Sequence, residues 1–228
     1  MFAAWEVGVW KVLRTRLSFD LVVGASAGAW NGWAIAGGCT PEELVDEWMD
    51  PRTAQVMQPG IHRYGFLKPD TMHEKAREFF DRFRPRIPFG LTIMEMPRFK
   101  ARLVRDSEIT WQHLAATASV PLGFPPVTIL GRNYVDGGFP GNALPLWAAE
   151  EMGATRAIAV LCLTTLPFRI LRHAIPSRKC SSALEVIRFE PSEPLGSVRD
   201  AVFWTAANIG RWIELGEHDA EQALVSAW

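Results

Sequence analysis

The chain alternates between segments with helical spacing of apolar residues and segments typical of buried strands. Apolar side chains recur every three or four positions from Trp5 to Leu13, with Glu6 and Lys11 on the opposite side, which predicts an amphipathic helix. The run Phe19–Val23 is apolar with little alternation, as expected of a parallel strand covered on both faces. The chain therefore opens with a helix followed by a buried strand.

The same pattern continues through the rest of the chain. Helical tendency resumes after Ser26 and ends at Gly37, and Thr40 with Glu43 has the spacing of a capping box that starts another helix. Further strands are predicted at Val127–Leu130, Tyr134–Val135 and Ala157–Leu163, and further helices at Trp111–Ala118, Leu144–Met152 and Val198–Leu215. This order predicts an α/β layered fold.

Composition narrows the class of protein. With 228 residues, of which 48% are apolar, the chain suits a single domain over residues 1–228, and a net charge of −1 argues against a nucleic-acid partner. The three cysteines, an odd number without Cys-x-x-Cys spacing, argue against a disulfide framework or a zinc site. No secretory signal pattern and no apolar run of membrane-spanning length are present in the sequence, so we expect a cytoplasmic protein.

The candidate nucleophile is Ser26, which directly follows the first predicted strand. Its neighbours Gly24, Ala25, Ala27 and Gly28 have almost no side chain, which allows a sharp strand-to-helix turn with the serine at its tip. The helix that follows directs its N-terminal amides towards the same point. Small residues at such a turn also serve close packing, so the pentapeptide alone leaves both interpretations open.

The candidate base is an aspartate rather than a histidine. None of the five histidines stands in an obviously catalytic setting: His62, His73, His113, His173 and His218. The positions of His113, His173 and His218 are typical of surface or half-buried residues. Asp136 instead stands at the end of a short predicted strand and is followed by Gly137 and Gly138. Asp-Gly-Gly alone is as consistent with a simple turn, but together with a serine elbow it becomes a catalytic candidate.

These motifs, in their order along the chain, resemble those of patatin-like phospholipases. The matching stretches are "EVGVWKVL", "VVGASAGAWNG", "LAATASVPLGFPPV", "YVDGG" and "ALPLWAAEEMGATRAIAV". The resemblance implies a three-layer α/β/α sandwich with a mainly parallel central sheet and a Ser-Asp dyad that hydrolyses acyl esters of lipids. Ser26 would be the nucleophile and Asp136 the base. The α/β-hydrolase fold does not fit, because it places several strands before its serine and closes its triad with a downstream histidine.

One departure from the family concerns the oxyanion hole. The family has a first strand and a glycine-rich loop ahead of its first helix, whereas Met1, Phe2 and Ala3 occupy that position here. We expect an open slot beside Phe19–Val23 and weak activity of the 228-residue chain. Either the chain starts inside a longer natural protein, which we favour because unused dyad motifs would drift, or it is a shortened member with little or no activity.

Function is therefore expected to be acyl-ester hydrolysis of a lipid, without a cofactor or metal. The alternatives are a thioesterase or peptidase that uses the same serine, and a non-catalytic lipid-binding protein of the same fold. Phenylalanine and arginine alternate over Glu78–Leu91, which suggests peripheral contact with an anionic membrane or else a solvated loop, and 168–179 is a second basic stretch.

Overall fold

The computed structural model describes residues 1–139, 142–164 and 178–227, with side chains up to residue 225. The helices are α1 (Ala4–Arg16), α2 (Ala27–Ala36), α3 (Pro41–Met49), α4 (Arg52–Gln55), α5 (Pro69–Arg82), α6 (Trp111–Thr117), α7 (Leu146–Glu151), α8 (Val198–Val202) and α9 (Ala206–Ala227). The strands are β1 (Val22–Ala25), β2 (Pro59–His62), β3 (Gly65–Leu67), β4 (Phe89–Glu95), β5 (Lys100–Arg105), β6 (Val127–Ile129), β7 (Arg132–Asp136), β8 (Arg156–Val160) and β9 (Glu185–Phe189).

Most predicted elements are present, with shifted ends. The first strand lies at Val22–Ala25, so it ends directly before Ser26, and the capping box of Thr40 and Glu43 starts α3 as expected. The predicted helix Val198–Leu215 is wrong as one element, because the chain leaves the helix at Phe203 and α9 begins at Ala206. Helix α5 and strands β4, β5 and β9 were not predicted.

Strand β4 organises the central sheet. From Gly90 to Glu95 it pairs antiparallel with β5 along one edge, so β1 and β7 share the other edge. β1 runs parallel to β4 and reaches Thr92 with its last residue, Ala25, while β7 runs antiparallel and reaches Ile93 with its last residue, Asp136. The ends of β1 and β7 therefore meet; Ser26 directly follows β1, and Asp136 is the last residue of β7.

Helices cover both faces of this sheet. A Cβ atom at Gly32 of α2 would contact the Phe89 ring, whereas a Cβ atom at Gly90 would contact Met152 beside α7. Because successive residues of a strand face opposite sides, α2 and α7 lie on opposite faces. The predicted three-layer α/β/α class is confirmed. Strand β1 pairs parallel with β4, and β8 pairs parallel with β9. The antiparallel pairing of β5, β6 and β7 was not predicted.

The predicted slot is present, and it separates two sheets. The expectation that the first strand and Ala157–Leu163 share one sheet is wrong for the described residues, because β1 pairs with β4 and β8 pairs with β9. Between them lies a groove of about 590 Å³, lined on one side by Leu21–Ala25 and on the other by Arg156–Val160. Since the Val22 amide donates to Pro88, the alternate residue Val23 directs its backbone groups towards this groove.

In the segment Glu78–Leu91, for which membrane contact or a solvated loop was expected, the phenylalanines pack into the core while Arg82, Arg84 and Arg86 are exposed. The segment forms the end of α5 and the beginning of β4, and the rings of Phe79, Phe83 and Phe89 are buried. Most of the second basic stretch, 168–179, lies outside the described residues. In the part of the chain that the structure describes, no helix is both long and apolar enough to cross a bilayer.

Candidate active site

Ser26 lies at the tip of the turn between β1 and α2. Its backbone has φ 55° and ψ −136°, a combination that side-chain-bearing residues rarely adopt and that marks strained functional turns. The turn is tight because Gly24 lies against α2, where an added Cβ would be 2.5 Å from the Ala29 Cα. The first turn of α2 therefore starts directly at the serine, with its free amides on the same side.

Asp136 is held at the end of β7 by equally close packing. Its side chain is 3% exposed, and its amide donates to the Ser119 carbonyl at 3.0 Å. The next residue, Gly137, lies against β4, where an added Cβ would be 1.7 Å from the Thr92 carbonyl oxygen. Glycine is therefore required at that position because of space, which explains the first glycine of the Asp-Gly-Gly motif.

The structure brings these two side chains into direct contact. The Ser26 hydroxyl donates a hydrogen bond of 2.6 Å to Asp136 Oδ2, while the Gly138 amide donates to Oδ1 at 2.7 Å. Burial raises the pKa of Asp136 to about 6, although these two hydrogen bonds and one from Phe139 favour the charged form. The carboxylate is therefore a stronger base than an exposed aspartate and remains largely ionised at neutral pH.

Thr117 contacts both the turn at Ser26 and the loop after Asp136, and it was not among the predicted site residues. The Thr117 hydroxyl accepts the Ser26 amide at 2.9 Å and donates to the Thr92 carbonyl at 2.8 Å. Its own carbonyl accepts the Gly137 amide at 3.3 Å. This one buried residue thus links the Ser26 turn and Thr92 of β4 through its side chain, and the loop after Asp136 through its backbone carbonyl. The stretch that holds it, "LAATASVPLGFPPV", was noticed only as a family motif.

No histidine competes with Asp136 among the described residues. His62 contacts the Leu67 carbonyl, His73 packs against Trp111, and His113 belongs to the N-terminal cap of α6. The fourth described histidine, His218, is exposed on α9, and none of these imidazoles lines the cavity at Ser26. His173 lies outside the described residues.

A cavity of about 600 Å³ opens beside the serine. Its walls are mostly apolar and include Trp30, Met57, Met72, Phe79, Phe124 and Leu161. Ser26 and Asp136 both line it, and its size is in the range of pockets that enclose small organic ligands. The site thus combines a polar pair with a mostly apolar space beside it.

A second buried carboxyl group, Glu6, stands between this cavity and the groove beside β1. It accepts hydrogen bonds from the Asn31 side chain at 2.9 Å and from the Cys162 thiol at 3.3 Å. Burial raises the pKa of Glu6 to about 7, so it is partly neutral at physiological pH. The cysteines are unpaired, and the described residues contain no cluster of three or more His, Cys, Asp or Glu side chains that could hold a metal.

Comparison with known proteins identifies similar chains. The family model described as patatin-like phospholipase matches residues 1–149. The crystal structure of VipD from Legionella pneumophila is similar with a TM-score of 0.56 at 9% sequence identity, over 99% of this chain and 65% of VipD. The chain therefore spans about two thirds of the length of VipD, and the likeness concerns the fold. No curated protein sequence is significantly similar to the chain.

Proposed function

Because the chain belongs to the patatin-like phospholipase family, we propose that it is a lipid acyl hydrolase in which Ser26 attacks an ester carbonyl and Asp136 accepts the serine proton. The observation that carries this proposal is the hydrogen bond of 2.6 Å from the Ser26 hydroxyl to Asp136 Oδ2 at a strained turn. The family acts on lipids in general, and the apolar cavity beside the serine fits an acyl chain.

The first half of the reaction forms an acyl-enzyme. Ser26 Oγ bonds to the ester carbon as its proton passes to Asp136 Oδ2, and the carbonyl oxygen becomes an oxyanion near the first amides of α2. The intermediate collapses when the bond to the alcohol oxygen breaks, and Asp136 returns the proton to that oxygen. In the second half, water attacks the acyl carbon, Asp136 takes its proton, and Ser26 regains a proton as the fatty acid leaves.

Covalent labelling tests the role of Ser26 directly. A fluorophosphonate should form one adduct on this serine, located by mass spectrometry, and the labelled protein should no longer hydrolyse p-nitrophenyl esters. Parallel thioester and amide substrates of equal acyl length distinguish an esterase from a thioesterase or peptidase. Label on another serine, or faster turnover of the amide than of the ester, would contradict the proposed function.

The pKa of Asp136 predicts how the rate depends on pH. Since Asp136 must be ionised to accept a proton and its pKa is about 6, kcat/KM for an uncharged short ester should fall as pH drops through about 6. Above pH 7 the profile should be flat with respect to this group. A rate that stays constant down to pH 4.5 would show that Asp136 is not the base.

A further inference from the structure

The surface of the protein carries an unusual group of exposed apolar side chains at the β2–β3 hairpin. Ile61 is fully exposed, and Tyr64 and Phe66 are 54% and 65% exposed, within only six residues of chain. A bridge between Gly65 and Leu122 joins the hairpin to the loop after α6, where Leu122 is 73% exposed. We call Ile61, Tyr64, Phe66 and Leu122 the hairpin patch. Several large apolar side chains exposed on neighbouring segments indicate an interaction site.

The hairpin patch adjoins the opening of the cavity that contains Ser26. Phe66 lines that cavity although it is mostly exposed, so its ring lies at the boundary between cavity and solvent. Val120, from the loop that the hairpin contacts, lines the same cavity and is 41% exposed. An apolar molecule that enters between these side chains would pass directly from the patch into the interior.

The cations closest to the hairpin patch along the chain are Arg63 and Lys68, whereas Arg52 pairs with Asp50 and Glu78. Residues 51–69 include Arg52, Arg63 and Lys68 but no aspartate or glutamate, and residues 109–135 also lack acidic side chains. Arg63 and Lys68 are exposed and form no ion pair with a described residue, and the Arg63 guanidinium lies 5.4 Å from the centre of the Tyr64 ring. Cations beside exposed apolar and aromatic groups are suited to phosphate head groups above acyl chains.

We propose that the hairpin patch docks the protein onto an anionic lipid surface. Ile61, Tyr64 and Phe66 enter the boundary between head groups and acyl chains, while Arg63 and Lys68 contact lipid phosphates. The cavity then opens against the lipid, and an acyl chain reaches Ser26 without crossing bulk water. Docking depends only on the hairpin patch and the two cations, whereas the delivery of an acyl chain to Ser26 rests on the proposed function.

Vesicle sedimentation tests docking separately from hydrolysis. The Ser26→Ala chain, which leaves the lipid intact, is mixed with phosphatidylcholine vesicles with and without phosphatidylserine. Binding should be stronger with phosphatidylserine, and adding Ile61→Ser and Tyr64→Ser should weaken it at least about tenfold. Neither of these two side chains lines the cavity. Arg63→Gln with Lys68→Gln should remove the preference for the anionic vesicles.

The matched control is Leu130→Ser. Leu130 is 98% exposed but stands in the β6–β7 turn, at the opposite end of β7 from Asp136, and binding should be unchanged. With Ser26 intact, the Ile61→Ser, Tyr64→Ser chain should lose vesicle hydrolysis and keep turnover of a soluble short ester. If no ester is hydrolysed at all, the proposed function fails, but sedimentation still decides the docking proposal.

Three results would overturn this proposal. They are vesicle binding that survives Ile61→Ser with Tyr64→Ser, an equal loss with Leu130→Ser, and no vesicle binding by the parent chain. In the last case, a dimer that Ile61→Ser and Tyr64→Ser dissociate in size-exclusion chromatography would assign the patch to a second copy of the chain instead.

Discussion

Replacing Ser26 with alanine is expected to abolish ester hydrolysis, lowering kcat on the order of 10⁴-fold or more. In the proposed mechanism Ser26 Oγ is the only atom of the protein that bonds to the acyl carbon, and alanine removes it. The strained backbone and the hydrogen bond from the residue 26 amide to Thr117 remain available, so the fold should be kept. The measurement is the steady-state rate on a p-nitrophenyl ester together with a thermal unfolding curve. Turnover that survives this change would remove the proposed mechanism.

Asp136→Asn should lower the rate nearly as far, and the double variant should be no worse than Ser26→Ala. The two groups act as one unit through a single proton, so their losses are not additive. Asparagine is isosteric and keeps an oxygen for the Gly138 amide, while it removes a carboxylate that burial disfavours. The unfolding temperature should therefore not fall, which separates a chemical loss from misfolding. Substantial activity with Asp136→Asn would point to another base.

The sequence located the candidate dyad because strong local constraints act on it. Gly24 and Gly137 stand where a Cβ atom would collide with backbone. Glycine is therefore required at both positions, and these glycines form the sequence motifs around Ser26 and Asp136. The capping box at Thr40 was predictable for a similar reason, because it depends on neighbours only three residues apart. Local rules of this kind require no knowledge of the rest of the fold.

What the sequence did not predict depends on long-range pairing. Strand β4 lies in a segment whose phenylalanines and arginines suggested a surface, and only its partners on both edges make it the centre of the sheet. Thr117 has no local signature, since its role requires the turn at Ser26 and the Thr92 carbonyl to meet from distant parts of the chain. The exposure of the hairpin patch could likewise not be predicted, because apolar residues in short strands ordinarily indicate burial.

The second large effect that we expect is an increase in activity when the groove beside β1 is filled by a strand. Val23 directs its backbone towards this groove, and on the far side Val160 does the same, because the Leu161 amide is already bonded to Phe189. We expect a strand inserted there, parallel to β1, to pair with the backbone groups of Val23 and Val160. It would also bring a following glycine-rich loop next to Ser26, where it could add backbone donors for the oxyanion to those of α2.

We therefore expect that extending the chain ahead of Phe2 with a family-type strand and glycine-rich loop raises kcat/KM for a short ester about 100-fold or more, because one oxyanion donor is worth about that factor. In the proposed mechanism the base is a carboxylate with a pKa of about 6, so the reaction depends on such donors as well as on proton abstraction. Two matched controls isolate the cause. Ser26→Ala in the extended chain should be inactive, and an extension of equal length with proline in the strand should give no increase, because proline cannot donate to either edge. The measurement is kcat/KM for all four chains at pH 7.5, above the pKa of Asp136. Full activity of the 228-residue chain would contradict this expectation and show that other donors already complete the oxyanion site.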